Sequence, residues 1–123
     1  MTTDETYRWP HERLDAWHVA RQARVVALRF TDTLPSGHGD EARQLNKATA
    51  SVVRNIGEGA NRFKPGEKVQ KFEIAAGEAG EAVSAVVSLQ DCGLGDAALA
   101  HLFCHLQARV AAMLTGLVHK HRK

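Results

Sequence analysis

One stretch of the sequence decides the fold: residues 51–68, SVVRNIGEGANRFKPGEK. Gly57 and Gly59 lie there in an otherwise helical pattern, although glycine in a helix interior costs about 0.5–1 kcal/mol relative to alanine. Apolar side chains recur at spacings of three and four as far as Phe63, and Pro65 and Gly66 then interrupt the pattern. The stretch therefore predicts the end of one helix, a short turn and the start of a second helix.

The two polar residues beside these glycines are expected to lie on one side of the helix. Asn55 and Glu58 are three residues apart, and Arg54 and Arg62 are each four residues from Glu58, close enough to pair with it. Gly59 belongs to the apolar side, where the missing side chain would let a neighbouring helix approach. A buried Asn and Glu need partners, which we expect in backbone groups or on an adjacent helix. The alternative is a solvent-facing polar edge with two tolerated glycines.

Outward from this stretch, the whole chain has helical periodicity. Prolines and one Gly-Leu-Gly turn divide it into four pieces, none of which shows the sustained alternation of a strand. We expect one domain over residues 1–123, with helices over approximately residues 11–34, 40–63, 66–91 and 96–119. Asp40 and Asp96 are the expected N-caps of the second and fourth helices. Because the connections are short, the pattern predicts an all-α, antiparallel up-down-up-down four-helix bundle.

The first helix, expected to begin near Pro10, has apolar side chains on two opposite sides. One stripe should face the core: Ala16, Val19, Ala20, Ala23, Val26, Ala27 and Phe30. The second stripe consists of Leu14, Trp17, Val25 and Leu28, with Arg21 among them. A helix in a monomeric bundle needs only one buried stripe. The second stripe therefore predicts an interface between copies of the chain.

Two further features concern the apolar faces of the middle helices. The apolar face of the second helix is expected to extend to Phe63. On the third helix, Gly77, Gly80 and Ser84 form a row without bulk, where the backbone of another helix could approach closely.

Charge is unevenly distributed, although the formal net charge is only +2. Residues 43–71 contain seven basic residues against Glu58 and Glu67, whereas residues 73–96 contain five acidic residues and no Lys or Arg. A basic surface of this kind is typical of phosphate contacts. The alternative is a solvated face that partly neutralises the third helix. It is favoured by the scarcity of aromatic residues for base stacking, which are limited to Phe63 in the run and Phe72 directly after it. The candidate nucleic-acid contacts are Arg43, Lys47, Arg54, Arg62, Lys64, Lys68, Lys71, Lys120, Arg122 and Lys123.

A carboxylate-bridged metal site is a third interpretation. Its candidate ligands are Asp15, His18, Glu58, Glu78, Glu81, His101 and His105. The sequence contains neither the Glu-x-x-His spacing of di-metal bundles nor HExxH, so we predict no metal and no cofactor. Cys104 and His105 are adjacent and so point about 100° apart on a helix, which does not make a catalytic dyad. The chain is expected not to be an enzyme, and its two cysteines to be free thiols.

The location of the protein is predicted from two further features. The N-terminus has no basic start followed by an apolar stretch, which argues against a signal peptide. Apolar runs are broken before 18 residues, so no membrane span is expected. Both features favour a cytoplasmic protein.

The second and third helices carry two motifs that resemble the 23S rRNA intervening-sequence protein family. The first motif is matched by Gln44, Leu45, Ala48, Ser51, Val52, Asn55, Ile56, Glu58, Gly59 and Arg62. The second is matched by Ile74, Ala75, Gly77 and Glu81. The resemblance extends from about Leu14 to about Val118. The chain departs from the family pattern in having HGDE before the second helix and Glu78 after the helix-3 glycine.

The resemblance implies a bundle that assembles into a ring, typically a homopentamer, with no enzymatic activity and an unsettled role. Some members are encoded inside insertions of ribosomal RNA genes. A relative of similar shape, the accessory variability determinant of diversity-generating retroelements, binds nucleic acid through a basic ring surface, so RNA or DNA is a possible partner here. We expect five residues to serve packing between helices or subunits: Asn55, Glu58, Gly59, Gly77 and Glu81.

Overall fold

A computed structural model describes residues 7–122, and every regular element in that part of the chain is helical. The four helices are α1 (Asp15–Asp32), α2 (Gly39–Asn61), α3 (Pro65–Asp91) and α4 (Ala97–His121). A 3-10 turn, Pro10–Arg13, precedes them. Each helix packs against the next in sequence, and α4 packs against α1, which completes a four-helix bundle. The all-α class and the four helices predicted from the sequence are therefore confirmed.

The core lies between the four helices and is built around three phenylalanines. Phe30, Phe72 and Phe103 come from α1, α3 and α4, and each is 0–1% exposed. The first apolar stripe of α1 is buried as predicted, from Ala16 to Phe30. Burial of each large apolar side chain contributes about 1.5–3 kcal/mol.

The start of α1 differs from the prediction, because an α-helix does not run from Pro10. The 3-10 turn is closed by the Glu12 carboxylate, which accepts a hydrogen bond from the Trp9 N–H at 2.9 Å. Leu14 is then extended, with φ −99° and ψ 118°, and the α-helix begins only after it. The Glu12 carbonyl lies 2.8 Å from Nε2 of His18, so the turn folds back onto the first turn of α1.

Both ends of α2 also differ from the prediction. His38, not Asp40, is the N-cap residue, and the Asp40 carboxylate pairs with Arg43 instead of the backbone. The helix ends at Asn61, two residues early, since Arg62 is already extended, with φ −79° and ψ 150°. Phe63 therefore lies outside the helix and is 97% exposed, so its prediction as part of the apolar face was wrong.

The N-cap of α4 was predicted correctly. The Asp96 carboxylate accepts a hydrogen bond from the Leu99 N–H at 2.9 Å, which satisfies one of the donors left free at the helix start.

The helix termini lie in two groups, one at each end of the bundle, and side-chain contacts connect the termini within each group. His11 contacts Asn61 at 3.0 Å, and Arg122 pairs with Glu73, so the 3-10 turn, the α2–α3 turn and the end of α4 lie together. We call residues 7–13, 62–68 and 117–122 the basic end, because they contain seven Lys or Arg and two Glu. Residues 32–43 and 91–96 form the acidic end, with five Asp or Glu and one Arg. There the Asp96 N–H donates to Oγ1 of Thr33 at 2.9 Å.

Within residues 7–122, α4 is the one helix long and apolar enough to cross a membrane by length and composition. Its most apolar window has a mean hydropathy of 1.3. By length and composition, α4 therefore differs from the expectation that no segment could span a bilayer. A single such helix is weak evidence of a membrane span, because core helices of soluble proteins have similar composition. Phe103, Val110 and Leu114 of α4 are fully buried in the bundle.

Candidate functional site

Asn55 is buried on α2, but its partners are not on an adjacent helix. Its Nδ2 donates to the carbonyl oxygen of Ser51 at 2.9 Å and to the Ser51 hydroxyl at 3.1 Å, one turn earlier on the same helix. The Arg54 guanidinium also donates to that hydroxyl, at 3.1 Å. Ser51 thus satisfies the buried amide locally, which removes most of the cost of burying it.

Glu58 connects α2 to α3. One carboxylate oxygen lies 3.2 Å from Nζ of Lys71 on α3, and the other lies 3.8 Å from Nε of Arg54. The predicted pair with Arg62 does not form, because Arg62 is extended beyond the helix end and lies 3.9 Å from Glu67 instead. All these side chains are partly exposed, so each pair contributes at most about 1 kcal/mol.

Gly59 allows α2 and α3 to approach closely. A Cβ added at this residue would lie 2.8 Å from Cε1 of Phe72 and 3.1 Å from Cβ of Lys71, both shorter than a normal contact. At Gly57 the nearest atom would be Nε1 of Trp17 at 3.7 Å, which is an ordinary contact. Only the second of the two glycines in the opening stretch is therefore required by packing within the chain.

Gly77 and Glu81 both lie on an open side of α3. No atom lies within 4 Å of the position that a Cβ of Gly77 would take, so within one chain this glycine makes no close approach. Glu81 lines a groove of about 580 Å³ between α2 and α3. The groove has acidic side chains on its α3 side, Glu78 and Glu81, and basic ones on its α2 side, Lys47 and Arg54. Packing of Gly77 and Glu81 between subunits remains a prediction.

The second stripe of α1 is only half covered by its own chain. Leu14 and Trp17 are partly buried against the core. Val25 and Leu28 are 48% and 45% exposed. Together with Trp17 and Val53 they line a groove of about 510 Å³ that also contains Arg21, Gln22 and Arg24. The Arg21 guanidinium lies 4.5 Å from the centre of the Trp17 ring, a cation–π contact that explains how a charged residue fits into this stripe.

The candidate nucleic-acid contacts are not on one surface. Arg43, Lys47 and Arg54 lie on α2 away from the basic end, and Lys123 lies outside the described residues. The others lie at the basic end or, for Lys71, one turn from it: Arg62, Lys64, Lys68, Lys71, Lys120 and Arg122.

Three of the basic residues in this second group have structural partners. Nζ of Lys68 donates to the carbonyl oxygens of Gly59 and Ala60, at 3.3 and 2.9 Å, and so satisfies the C-terminus of α2. Burial lowers the pKa of Lys68. Lys71 and Arg122 pair with Glu58 and Glu73. Arg62, Lys64 and Lys120 remain the most available cations of the six.

Exposed aromatic rings also lie at the basic end. Phe63 is 97% exposed, Tyr7 is 51% exposed and Trp9 is 45% exposed. The Tyr7 and Trp9 rings meet edge to face, with centroids 4.9 Å apart. Sequence reasoning did not connect Tyr7 and Trp9 with the basic run, because they precede it by some 40 residues. The local sequence YRWP, in which a basic residue separates two aromatic residues, could have identified Tyr7 and Trp9 as candidate contacts.

His121 is a titratable group at the basic end. Burial lowers its pKa, and the charges of Lys68 and Lys120 lower it further. The ring centroid lies 6.3 Å from that of Phe72. The neutral form of His121 is therefore favoured near neutral pH.

The candidate metal ligands are not gathered into a site. Among residues 7–122, no three His, Cys, Asp or Glu side chains are grouped in a way that could hold an ion. His18 instead contacts the Glu12 carbonyl. Both cysteines are free, and burial raises the pKa of the Cys104 thiol, which disfavours the reactive thiolate.

Comparison with known protein families matches residues 12–116 to the family described as 23S rRNA-intervening sequence protein. This match covers most of the chain and all of α1, α2 and α3. The chain belongs to the 23S rRNA-intervening sequence protein family. No curated protein matches the chain closely enough to be named as a relative.

For this member of the 23S rRNA-intervening sequence protein family, the match separates two parts of the basic end. Phe63 and Lys64 lie inside the matched region, within the α2–α3 turn. Tyr7, Trp9 and Lys120 lie outside it. Residues 7–9 and the last turn of α4 thus contribute aromatic and basic side chains that the family match does not cover.

Proposed function

We propose that this family member is a non-enzymatic, cytoplasmic protein that works as a homo-oligomer, with the bundle as its subunit. The observation that carries the proposal is the open half of the second stripe of α1. Val25 and Leu28 are about half exposed and line a groove with Trp17 and Val53. Apolar residues gathered around a groove with a polar rim are typical of a protein–protein interface.

Within the subunit we propose antiparallel up-down-up-down topology. Its support is that the 3-10 turn just before α1 contacts the end of α2, through His11 and Asn61. Likewise the end of α4 contacts the start of α3, through Arg122 and Glu73. The three connections between helices are also short, as antiparallel neighbours require.

The proposed assembly is a ring. Two different surfaces are open on the subunit: the groove beside α1, and the row of Gly77, Gly80 and Ser84 on α3. If one surface of each copy binds the other surface of the next copy, the contact repeats around a ring when the rotation between neighbouring copies closes. The family resemblance suggests five copies. Arg21 and Arg24 beside the α1 groove have charges complementary to Glu78 and Glu81 on α3.

The assignment as non-enzymatic is supported by the polar residues of the family motif. Asn55 and Ser51 bond to each other, and Glu58 bonds to Lys71 and Arg54, so these groups are engaged in structure. The proposed absence of a membrane partner is supported by the burial of Phe103, Val110 and Leu114 of α4 in the bundle.

The test of assembly is molar mass by light scattering at micromolar concentration, for the wild type and for the double variant Val25→Glu/Leu28→Glu. We expect an oligomer for the wild type and a monomer with unchanged helical circular dichroism for the variant. Leu102→Glu is the matched control, because Leu102 is 43% exposed on α4, away from the groove. A monomeric wild type would contradict the proposal.

A second candidate function is electrostatic binding of RNA or DNA. The observation that favours it is the concentration of seven basic residues at one end of the bundle, which a ring would multiply by the number of copies. Affinity for an oligonucleotide should then fall steeply with salt, because bound phosphates release counterions. Absence of binding at low salt would contradict this function.

A further inference from the structure

We propose that the basic end is a platform for single-stranded nucleic acid, in which one base stacks on Phe63 while Arg62 and Lys64 contact the phosphates on either side of it. The inference rests on the second candidate function above, and it adds the class of ligand and the residue that recognises the base.

The exposure of Phe63 has no explanation within its own chain. The protein has four phenylalanines, of which three are 0–1% exposed and the fourth, Phe63, is 97% exposed. Exposure of a large aromatic side chain forgoes the stabilisation that its burial would provide. The exposed Phe63 ring can therefore stack against a planar group of a ligand.

The turn that carries Phe63 is short and lies between two helices that are joined by hydrogen bonds. Arg62 and Lys64 on either side of it are extended, with ψ of 150° and 129°. Lys68 connects the two helices by donating to the last carbonyl oxygens of α2. The ring therefore projects from a short turn held between two packed helices, which lowers the entropic cost of stacking.

The cations on either side of Phe63 are only weakly engaged by carboxylates. In the described part of the chain, Lys64 has no ion-pair partner, and Arg62 has only a 3.9 Å contact with Glu67. In the chain the order is Arg62, Phe63, Lys64, a ring between two positive charges. A nucleotide strand has the complementary order, a base between two negative phosphates.

The ring distinguishes single strands from duplexes. In a duplex each base face is already stacked, so Phe63 has no free face to meet, whereas every base of a flexible single strand has one. Tyr7 and Trp9 at the same end, with Arg8 between them, provide further exposed rings for neighbouring bases. Basic residues interleaved with aromatic ones are typical of single-strand binding surfaces.

An anionic membrane surface fits this arrangement less well. Binding to a bilayer is favoured by a continuous apolar face that enters the interface. Phe63 is instead flanked by two charged residues, and the other exposed rings, Tyr7 and Trp9, surround Arg8. The alternation of rings and cations matches alternating bases and phosphates.

The test compares Phe63→Ala with the wild type for binding of oligouridine and of an RNA duplex of equal length, at one salt concentration. We expect the variant to bind the single strand about tenfold more weakly and the duplex equally well, since stacking of one base contributes about that factor. Leu102→Ala, which removes a similarly apolar exposed side chain elsewhere, should change neither affinity. Lys64→Ala should weaken both and lower the salt slope by about one.

Each other outcome has a distinct meaning. No binding of either RNA by the wild type at low salt overturns both this inference and the second candidate function. Salt-dependent binding that Phe63→Ala leaves unchanged overturns the stacking inference alone. Binding to phosphatidylserine vesicles without binding to oligouridine also overturns it. So does a lower molar mass of Phe63→Ala by light scattering, which would make Phe63 a subunit contact.

Discussion

In or beside each end of the bundle a glycine lies against a buried phenylalanine, but the two glycines are required for different reasons. At the acidic end, Gly95 has a φ of 85°, and an added Cβ would lie 2.5 Å from Cε1 of Phe30. Next to the basic end, Gly59 is an ordinary helical residue of α2, and only the nearness of Phe72 and Lys71 excludes a side chain. A pattern of residues along a helix predicts the second kind of glycine more readily than the first, because the first depends on the path of a loop.

The two ends are also held together by different groups. At the acidic end the contacts between elements are made by neutral polar groups: Gln90 donates to the carbonyl oxygens of Leu94 and Gly95 at 2.8 and 3.0 Å, and Thr33 accepts from the Asp96 N–H. The ion pairs there, His38 with Glu41 and Arg43 with Asp40, are local to the start of α2. At the basic end Lys68 and several ion pairs connect the helices. Salt and pH should therefore affect the basic end more, and glycine substitutions the acidic end.

The largest expected effect is that of Gly95→Ala. The substitution combines a left-handed backbone that L-residues rarely adopt with a clash against Phe30, which is completely buried and has no space to move. We expect the free energy of unfolding to fall by about 3 kcal/mol or more, measured by urea denaturation.

Gly93→Ala is the matched control for Gly95→Ala. Gly93 also has a positive φ, 74°, but no atom lies within 4 Å of its added Cβ. The loss should be only about 1–2 kcal/mol, from backbone strain alone. Equal losses at the two positions would show that the contact with Phe30 contributes nothing.

The differences between prediction and structure arise mostly at helix ends. The core stripe of α1 and the Asp96 cap follow from spacing and cap chemistry, which act within one helix, and both were predicted. α2 ends early because Arg62 is already extended, and the exposure of Phe63 in the turn follows from it. The periodic spacing of apolar residues does not predict where a helix ends or which residues of the following turn are exposed.

The candidate site was predictable to a similar degree. For Asn55 the expected partners were backbone groups or an adjacent helix, and a backbone group of its own helix, the Ser51 carbonyl, is the one found. The basic run predicted available cations, but the roles of Lys68 and Lys71 in structure depend on how α3 packs on α2. Tyr7 and Trp9 could be placed at the same end only with the fold known.

Gly59→Ala should have a smaller effect than Gly95→Ala, because its backbone is not strained. The added methyl group would overlap the edge of the Phe72 ring, which is 1% exposed, while alanine improves helix propensity. We expect a net loss of about 1–2 kcal/mol by urea denaturation. Gly57→Ala on the same helix, with its nearest contact at 3.7 Å, should instead be neutral or stabilising. A stabilising Gly59→Ala would mean that α2 and α3 separate easily at the basic end.

Gly77→Ala tests the region between the two ends. Within one chain the substitution meets no atom and replaces an exposed helical glycine, so the subunit should gain about 0.5–1 kcal/mol. If α3 is a subunit interface as proposed, the same methyl group should weaken assembly, seen as a lower molar mass on dilution. A stabilised subunit with unchanged assembly would exclude close packing of another copy at Gly77.

The smallest expected effect concerns His121, for which the basic end disfavours protonation. Because its pKa is lowered in the folded state, the unfolded chain binds a proton more readily, and stability is fully present above the unfolded-state pKa of about 6.5. We expect the free energy of unfolding to decrease as the pH falls below that value, and His121→Gln to make this decrease smaller. His101→Gln, at an exposed position of the same helix, is the control. An unchanged pH slope in His121→Gln would mean that burial and the charges of Lys68 and Lys120 do not act on this ring.

If the slope does change, protonation of His121 adds a positive charge beside Lys68 and Lys120. Acidification that weakens the fold should then strengthen the attraction of the basic end for phosphates.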